Sequence, residues 1–142
     1  MPALRTFLLA AGVLMGGYLA VAHWLSFGVL CPGAPSVSWI NCNFIMNSPG
    51  SVVLGLPLGL WGSLWCLGSY VMVKFPYKVL WIMGGIGGTG WAIGHELYWE
   101  TWCTWCTVFQ VIIITTSLMT WALPRTSVVR PVTNRSESLR HP

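Results

Sequence analysis

Charge is what this sequence has least of. Only 7% of its 142 residues are Asp, Glu, Lys or Arg, against roughly 25% in a soluble globular protein, which excludes an ordinary cytosolic enzyme. Three residues are acidic, and the seven Lys and Arg form no clustered basic stripe, so no nucleic-acid partner is expected. Low hydrophobicity is missing too. Ten Trp, 55% hydrophobic residues and a mean hydropathy of +0.68 exclude disorder of the chain as a whole. The length fits one domain, and its expected solvent is the bilayer.

Four apolar runs reach the roughly 20 helical residues needed to cross a hydrocarbon core of about 30 Å: Thr6 to Leu30, Val52 to Val73, Val79 to Tyr98 and Cys103 to Leu123. None holds Lys, Arg or Asp, and only the third holds Glu, as Glu96. Arg5, Lys74, Lys78 and the tail arginines Arg125, Arg130, Arg135 and Arg140 all fall on one side of four such spans, which the positive-inside rule makes cytoplasmic. The expected fold is an all-α integral membrane protein. It is a four-transmembrane-helix bundle with an external loop and half-helix carrying a cysteine pair, and both termini are cytoplasmic. Residues 1–123 form the membrane domain, and residues 124–142 a polar, disordered cytoplasmic tail. Ala20-Val21-Ala22 resembles a signal-peptidase site, but the surrounding run is longer than a signal peptide's apolar region, so the helix is expected to be retained.

The long external loop, Cys31 to Ser51, is free of charge and rich in Pro, Gly, Ser and Asn. Within it, Cys42 to Asn47 is apolar enough for a short half-helix at the interface, ended by Ser48-Pro49-Gly50. The third span carries Gly84/Gly88 and Gly90/Gly94, small-xxx-small pairs of the kind that let helices approach closely in lipid. The Gly-Lys-Ser/Thr ending of a phosphate loop is missing. Trp24, Trp39, Trp65, Trp99, Trp102 and Trp105 are expected to form an aromatic belt at the outer interface.

Chemistry is concentrated in the cysteines. Cys103 and Cys106 stand at the outer start of the fourth helix, where unpaired N–H groups and the positive dipole end stabilise a thiolate. Positions i and i+3 face the same way, so the pair can close to a disulfide or open to a dithiol. Cys31 and Cys42 lie in the external loop, and four thiols on an oxidising side form two pairs. Structural staples and a Cys₄ zinc centre are the rival readings, of which zinc is opposed by the oxidising compartment, and no metal is expected. Cys66 falls in mid-span and is expected to be a small core hydrophobe. His95 and Glu96 are ionisable residues within a span and so functional candidates, including for proton relay, although both can snorkel to the interface. His23 is a weaker candidate.

Taken in order, these residues resemble the vitamin K epoxide reductase family, whose bacterial members oxidise thioredoxin-fold proteins at the expense of membrane quinone. The resemblance spans Cys31 to Thr107 and is carried by Cys31, then Cys42 with Ser48 six residues on, Gly55-Leu56-Pro57 leading to Leu60-Trp61-Gly62, Glu96-Leu97, and Cys103-Thr104-Trp105-Cys106-Thr107. It implies that Cys103 and Cys106 are the active-site pair, with Cys106 facing the quinone and Cys103 exchanging with the loop through Cys42. Cys31 would meet the reduced partner, and Ser48 would help hold the half-helix over the quinone pocket. Gln110 stands where animal members have Tyr, and Leu58 where they have Asn, so the resemblance implies reduction of an ordinary quinone and does not extend to the epoxide. The DsbB family runs the same chemistry with the two cysteine motifs in the opposite order.

The function expected from this is a membrane disulfide relay. It re-oxidises a separate, external DsbA-like thioredoxin-fold protein and passes the electrons to a quinone of the ubiquinone or menaquinone (vitamin K) type. Catalytic roles fall to Cys31, Cys42, Cys103 and Cys106. Cys106, Ser48, Phe109, Gln110 and His95 would surround the quinone, and the setting would be a bacterial inner membrane with the cysteines periplasmic. A soft-metal-binding protein, or a structural membrane protein with loop disulfides, is the alternative.

Overall fold

The computed structural model describes residues 2–33, 36–73 and 75–123, and the predicted tail with its four arginines lies outside them. The chain is mostly helical: α1 (Pro2–Leu25), α2 (Cys42–Asn47), α3 (Leu58–Met72), α4 (Lys78–Tyr98) and α5 (Thr104–Ala122), with a 3₁₀ turn at Pro49–Ser51 and strands β1 (Val52–Val53) and β2 (Leu56–Pro57). Two helical segments, Ala3–Leu25 and Thr104–Ala122, are long and apolar enough to cross a membrane. By the same measure α3 is too short at 15 residues, and α4 is diluted by its glycines and polar residues.

The second apolar run is therefore not one helix from Val52. Its first six residues form a hairpin, Val52 opposite Pro57 and Val53 opposite Leu56. Leu54 and Gly55 make the turn, both at positive φ (53° and 79°), the geometry that a two-residue hairpin favours. Pro57 caps the helix that follows, since its missing N–H costs nothing there.

The long helices form a ring: α1 packs on α3 and on α5, α4 packs on α5, and the contact between α3 and α4 is the thinnest of the four. At the α1–α3 crossing the backbones nearly touch, because a Cβ on Gly16 would come within 2.6 Å of the Gly59 carbonyl oxygen. The expected packing at Gly84/Gly88 and Gly90/Gly94 is not found, since a Cβ at any of these four positions would meet nothing within 4 Å. These four glycines face open space, whereas Gly85 of the same helix lies against the Trp65 ring of α3.

Polarity is partly inverted relative to a water-soluble bundle. Leu14, Leu67, Met83, Val111 and Leu118 point outward, whereas Ser63, Ser69, Thr89, Gln110, Thr116, Ser117 and Thr120 are buried. Several of the buried hydroxyls return a hydrogen bond to their own helix, as Thr116 to the Ile112 carbonyl (2.8 Å) and Thr120 to the Thr116 carbonyl (2.7 Å). Arg5 donates to the Ser69 carbonyl (2.6 Å) and Lys78 to the Leu123 carbonyl (2.7 Å). These cations sit at the C-terminal ends of α3 and α5, where a helix dipole attracts positive charge.

Trp65 departs from the expected belt. It is buried, stacks on Trp81 and donates its indole N–H to the Trp81 carbonyl (2.8 Å), while Trp24, Trp39 and Trp99 are exposed. Cys66 is a buried free thiol packed beneath Gly12, as expected of a core hydrophobe.

Candidate functional site

Backbone pairing stitches the cysteine-containing loop to the start of α5. The Asn41 N–H donates to the Trp102 carbonyl (3.0 Å) and the Trp102 N–H to the Trp39 carbonyl (2.9 Å), so the residue before Cys42 is pinned beside the residue before Cys103. Thr104 donates to the Pro32 carbonyl (2.9 Å) and Trp105 to the Leu30 carbonyl (2.7 Å), gripping the chain on both sides of Cys31. Asn41 then caps α2 by accepting from the Phe44 N–H (3.0 Å). These local bonds bring four cysteines, drawn from positions 31 to 106, to one end of the bundle.

The four sulfurs form two disulfide-bonded pairs, Cys31–Cys42 with Cα atoms 5.6 Å apart and Cys103–Cys106 with Cα atoms 5.1 Å apart. Cys103 is the N-cap of α5, not its first helical residue, and its sulfur accepts the Cys106 N–H at 3.2 Å. The Cys31 sulfur accepts the Cys42 N–H (3.3 Å) and lies 3.9 Å from the Thr104 hydroxyl. Each pair has one buried and one accessible member. Cys42 and Cys103 are fully buried in the same apolar cluster, while Cys31 and Cys106 are only partly covered.

Cys106 opens onto a cavity of about 570 Å³ inside the ring of helices, within the roughly 300–1,000 Å³ of small-molecule sites. Its wall is largely apolar, with Phe109 and Ile113 of α5, Trp65 of α3 and Trp81 of α4, and Gly84 and Gly88 widen it along α4. Ile45 and Met46 of α2 line it as well. Two histidines hold this short helix: His23 Nδ1 lies 2.7 Å from the Met46 carbonyl, and His95 Nε2 lies 2.6 Å from the Ser48 hydroxyl. That hydroxyl donates to the Ile45 carbonyl (2.6 Å), so His95 acts as donor to Ser48.

Of the residues expected around a quinone, Cys106, Phe109, Gln110 and His95 share the cavity wall. Ser48 is buried within the cap of α2 and is not part of that wall. His23, Trp65 and Trp81 were not singled out as cavity residues, although all three line it. The polarity of His23 at the end of an apolar run was the available signal. Nothing in the sequence separates Trp65 from the interfacial tryptophans, because burial of an indole is decided by its partner.

Glu96 is the larger surprise. It does not snorkel: it is 1% exposed, and neither carboxylate oxygen has a hydrogen-bond partner. The Gln110 side chain and the Cys103 backbone face it without closing a bond, and the Gln110 Nε2 is itself buried and unpartnered. A carboxylate oxygen of Glu96 and the sulfurs of Cys103 and Cys106 all lie within 4.8 Å of one another. Three such donors could hold a soft metal ion only once the pair is reduced, since sulfurs bonded to each other are not thiolate ligands. No protein-family model, curated protein or solved structure matches this chain.

Proposed function

We propose that this chain is a four-span membrane thiol:quinone oxidoreductase that re-oxidises an external dithiol protein, as its resemblance to the vitamin K epoxide reductase family implies. One observation carries the reading: in each disulfide one cysteine, Cys42 or Cys103, is buried in the shared apolar cluster and its partner, Cys31 or Cys106, is only partly covered, with Cys106 on the wall of an apolar cavity. That is the layout of a relay with two separate clients. Outward-facing aliphatic side chains and inward-facing hydroxyls support lipid as the solvent, and the short α3 and the more polar α4 complete the four spans. Arg5 and Lys78 at the end remote from the cysteines support a cytoplasmic placement of that end.

The steps balance as thiol–disulfide exchange. A thiolate of the reduced partner attacks Cys31, breaking the Cys31–Cys42 bond, and the partner's second thiolate releases it as a disulfide. The freed Cys42 thiolate attacks Cys103, expelling Cys106 as a thiolate. Cys31 then attacks Cys42 to restore the loop disulfide and release Cys103. Re-forming Cys103–Cys106 sends two electrons and two protons to the quinone, which leaves as quinol. The cavity fits such a substrate: its walls suit a flat apolar ring, and the unpartnered Gln110 amide is a free donor for a ring carbonyl oxygen. The thin α3–α4 contact gives a lateral route from lipid. The partner is a separate thioredoxin-fold protein of the DsbA kind, and the setting a bacterial inner membrane.

Donor dependence tests the order of the relay. Cys31→Ala is expected to lower oxidation of a DsbA-like protein by about 100-fold or more while leaving dithiothreitol oxidation within about threefold of wild type. Equal loss with both donors would contradict a shuttle role for Cys31.

A further inference from the structure

The cysteine chemistry above moves two protons as well as two electrons, and the relay itself assigns them no carrier. The structure supplies one acidic group at the right place. Glu96 is almost completely buried, both of its oxygens lack a partner, and it stands within 4.8 Å of the two active-site sulfurs. That span is bridged by one water or closed by a small side-chain movement. It also lines the cavity into which Cys106 opens. A buried carboxyl with no closed hydrogen bond is costly to keep, and the polar groups that face it are the Gln110 side chain and the Cys103 backbone.

The other titratable side chains near that end are either engaged or, like Glu100 beyond the end of α4, exposed. His23 is bonded to the Met46 carbonyl and His95 to Ser48, both as holders of α2. Arg5 and Lys78 bond to Ser69, Thr120 and Leu123 at the far end. Among the described residues, the titratable groups that face Glu96 from α5 are Cys103 and Cys106 themselves.

We propose that Glu96 carries protons for the Cys103–Cys106 couple, a role that rests on the thiol:quinone reading. The donor's two thiols bring in two protons: Glu96 takes one onto its carboxylate, so that the expelled Cys106 stays a thiolate beside a neutral acid, and Cys103 takes the other when it is released. As the sulfur–sulfur bond re-forms, the electron pair leaves for the quinone. The proton held on Glu96 and the proton of Cys103 follow to the two quinone oxygens, and Glu96 returns to its carboxylate. One dithiol is oxidised and one quinone reduced, with both protons accounted for.

The test uses the full chain in lipid nanodiscs, with short-chain ubiquinone and dithiothreitol, comparing wild type, Glu96→Gln and Glu96→Asp across a pH series. Glu96→Gln is expected to lower kcat by about 100-fold, to leave reduction of the Cys103–Cys106 disulfide by dithiothreitol unchanged, and to flatten the pH profile. Glu96→Asp should recover part of the rate. An infrared difference spectrum between oxidised and reduced wild type provides a readout independent of turnover and of the variants' folding. It should contain a carboxylic-acid carbonyl band that changes with redox state and is missing from Glu96→Gln. A Glu96→Gln rate within about twofold of wild type, or no carboxyl band in the wild-type spectrum, would overturn the proposal. Wild type that turns over no quinone would instead overturn the thiol:quinone reading, and the infrared band alone would then decide whether Glu96 exchanges a proton with the sulfur pair.

Discussion

Two glycine pairs on either side of α3, Gly16/Gly59 and Gly84/Gly88, are used in opposite ways. Toward α1, Gly59 meets Gly16 so closely that a methyl on either would strike the other's backbone carbonyl. Toward α4, Gly84 and Gly88 meet nothing within 4 Å and border the cavity. The first pair closes its crossing by missing side chains; on the α4 side Gly68 and Gly85 do the same against the Trp81 and Trp65 rings, whereas Gly84 and Gly88 leave space in the cavity. The lesson is that a small residue in an apolar helix records the need for space without saying whether a helix or a ligand fills it.

That contrast can be broken most severely at the closed seam. Gly59→Leu puts a side chain against the Gly16 carbonyl and is expected to cost about 3 kcal/mol or more, read as a lower midpoint of thermal unfolding in detergent. On the open side, Gly88→Leu should leave that midpoint nearly unchanged but narrow the cavity, raising the quinone KM about tenfold, a loss of roughly 1.4 kcal/mol of binding. His95→Phe removes the bond to Ser48 and is expected to cost about 1 kcal/mol, appearing as faster amide hydrogen exchange across Cys42 to Asn47. The smallest effect belongs to Gly88→Ala, whose methyl meets nothing. Stability should stay level or rise by up to about 1 kcal/mol as the helix loses a conformationally free residue. A large loss there would mean that α4 packs against a neighbour at this point.

How much of this was legible in the sequence follows from what kind of signal each element leaves. The half-helix is readable because Ser48-Pro49-Gly50 stops it sharply; Cys103 and Cys106 are readable from their i, i+3 spacing at a helix start, and Cys31 and Cys42 from the charge-free loop they share. The hairpin before α3 was hidden, since Val-Val-Leu-Gly-Leu-Pro is as apolar as the helix that follows. Leu54-Gly55 followed by Pro57 was its only trace. The direction of Glu96 could not be read at all. A carboxyl one turn from a helix end can turn outward to the interface or inward to the sulfurs, and tertiary packing against α5 makes that choice.

The same limit applies to Ser48 and the histidines. Ser48 is expected to help hold the half-helix, and Ser48 and His95 to lie beside the quinone; in the structure the polar atoms of Ser48, His95 and His23 are bonded within and to α2 and its cap. Their effect on the site is through the position of that helix. Gln110, by contrast, keeps a free donor beside Cys106.

The central claim is that Cys106 is the sulfur that delivers electrons to a substrate in the cavity. It is tested most directly by following quinone absorbance with dithiothreitol as donor, for wild type beside Cys106→Ala and Cys66→Ala. The account predicts turnover in wild type and in Cys66→Ala, whose thiol is buried in the core, and none in Cys106→Ala. Normal turnover in Cys106→Ala would contradict it.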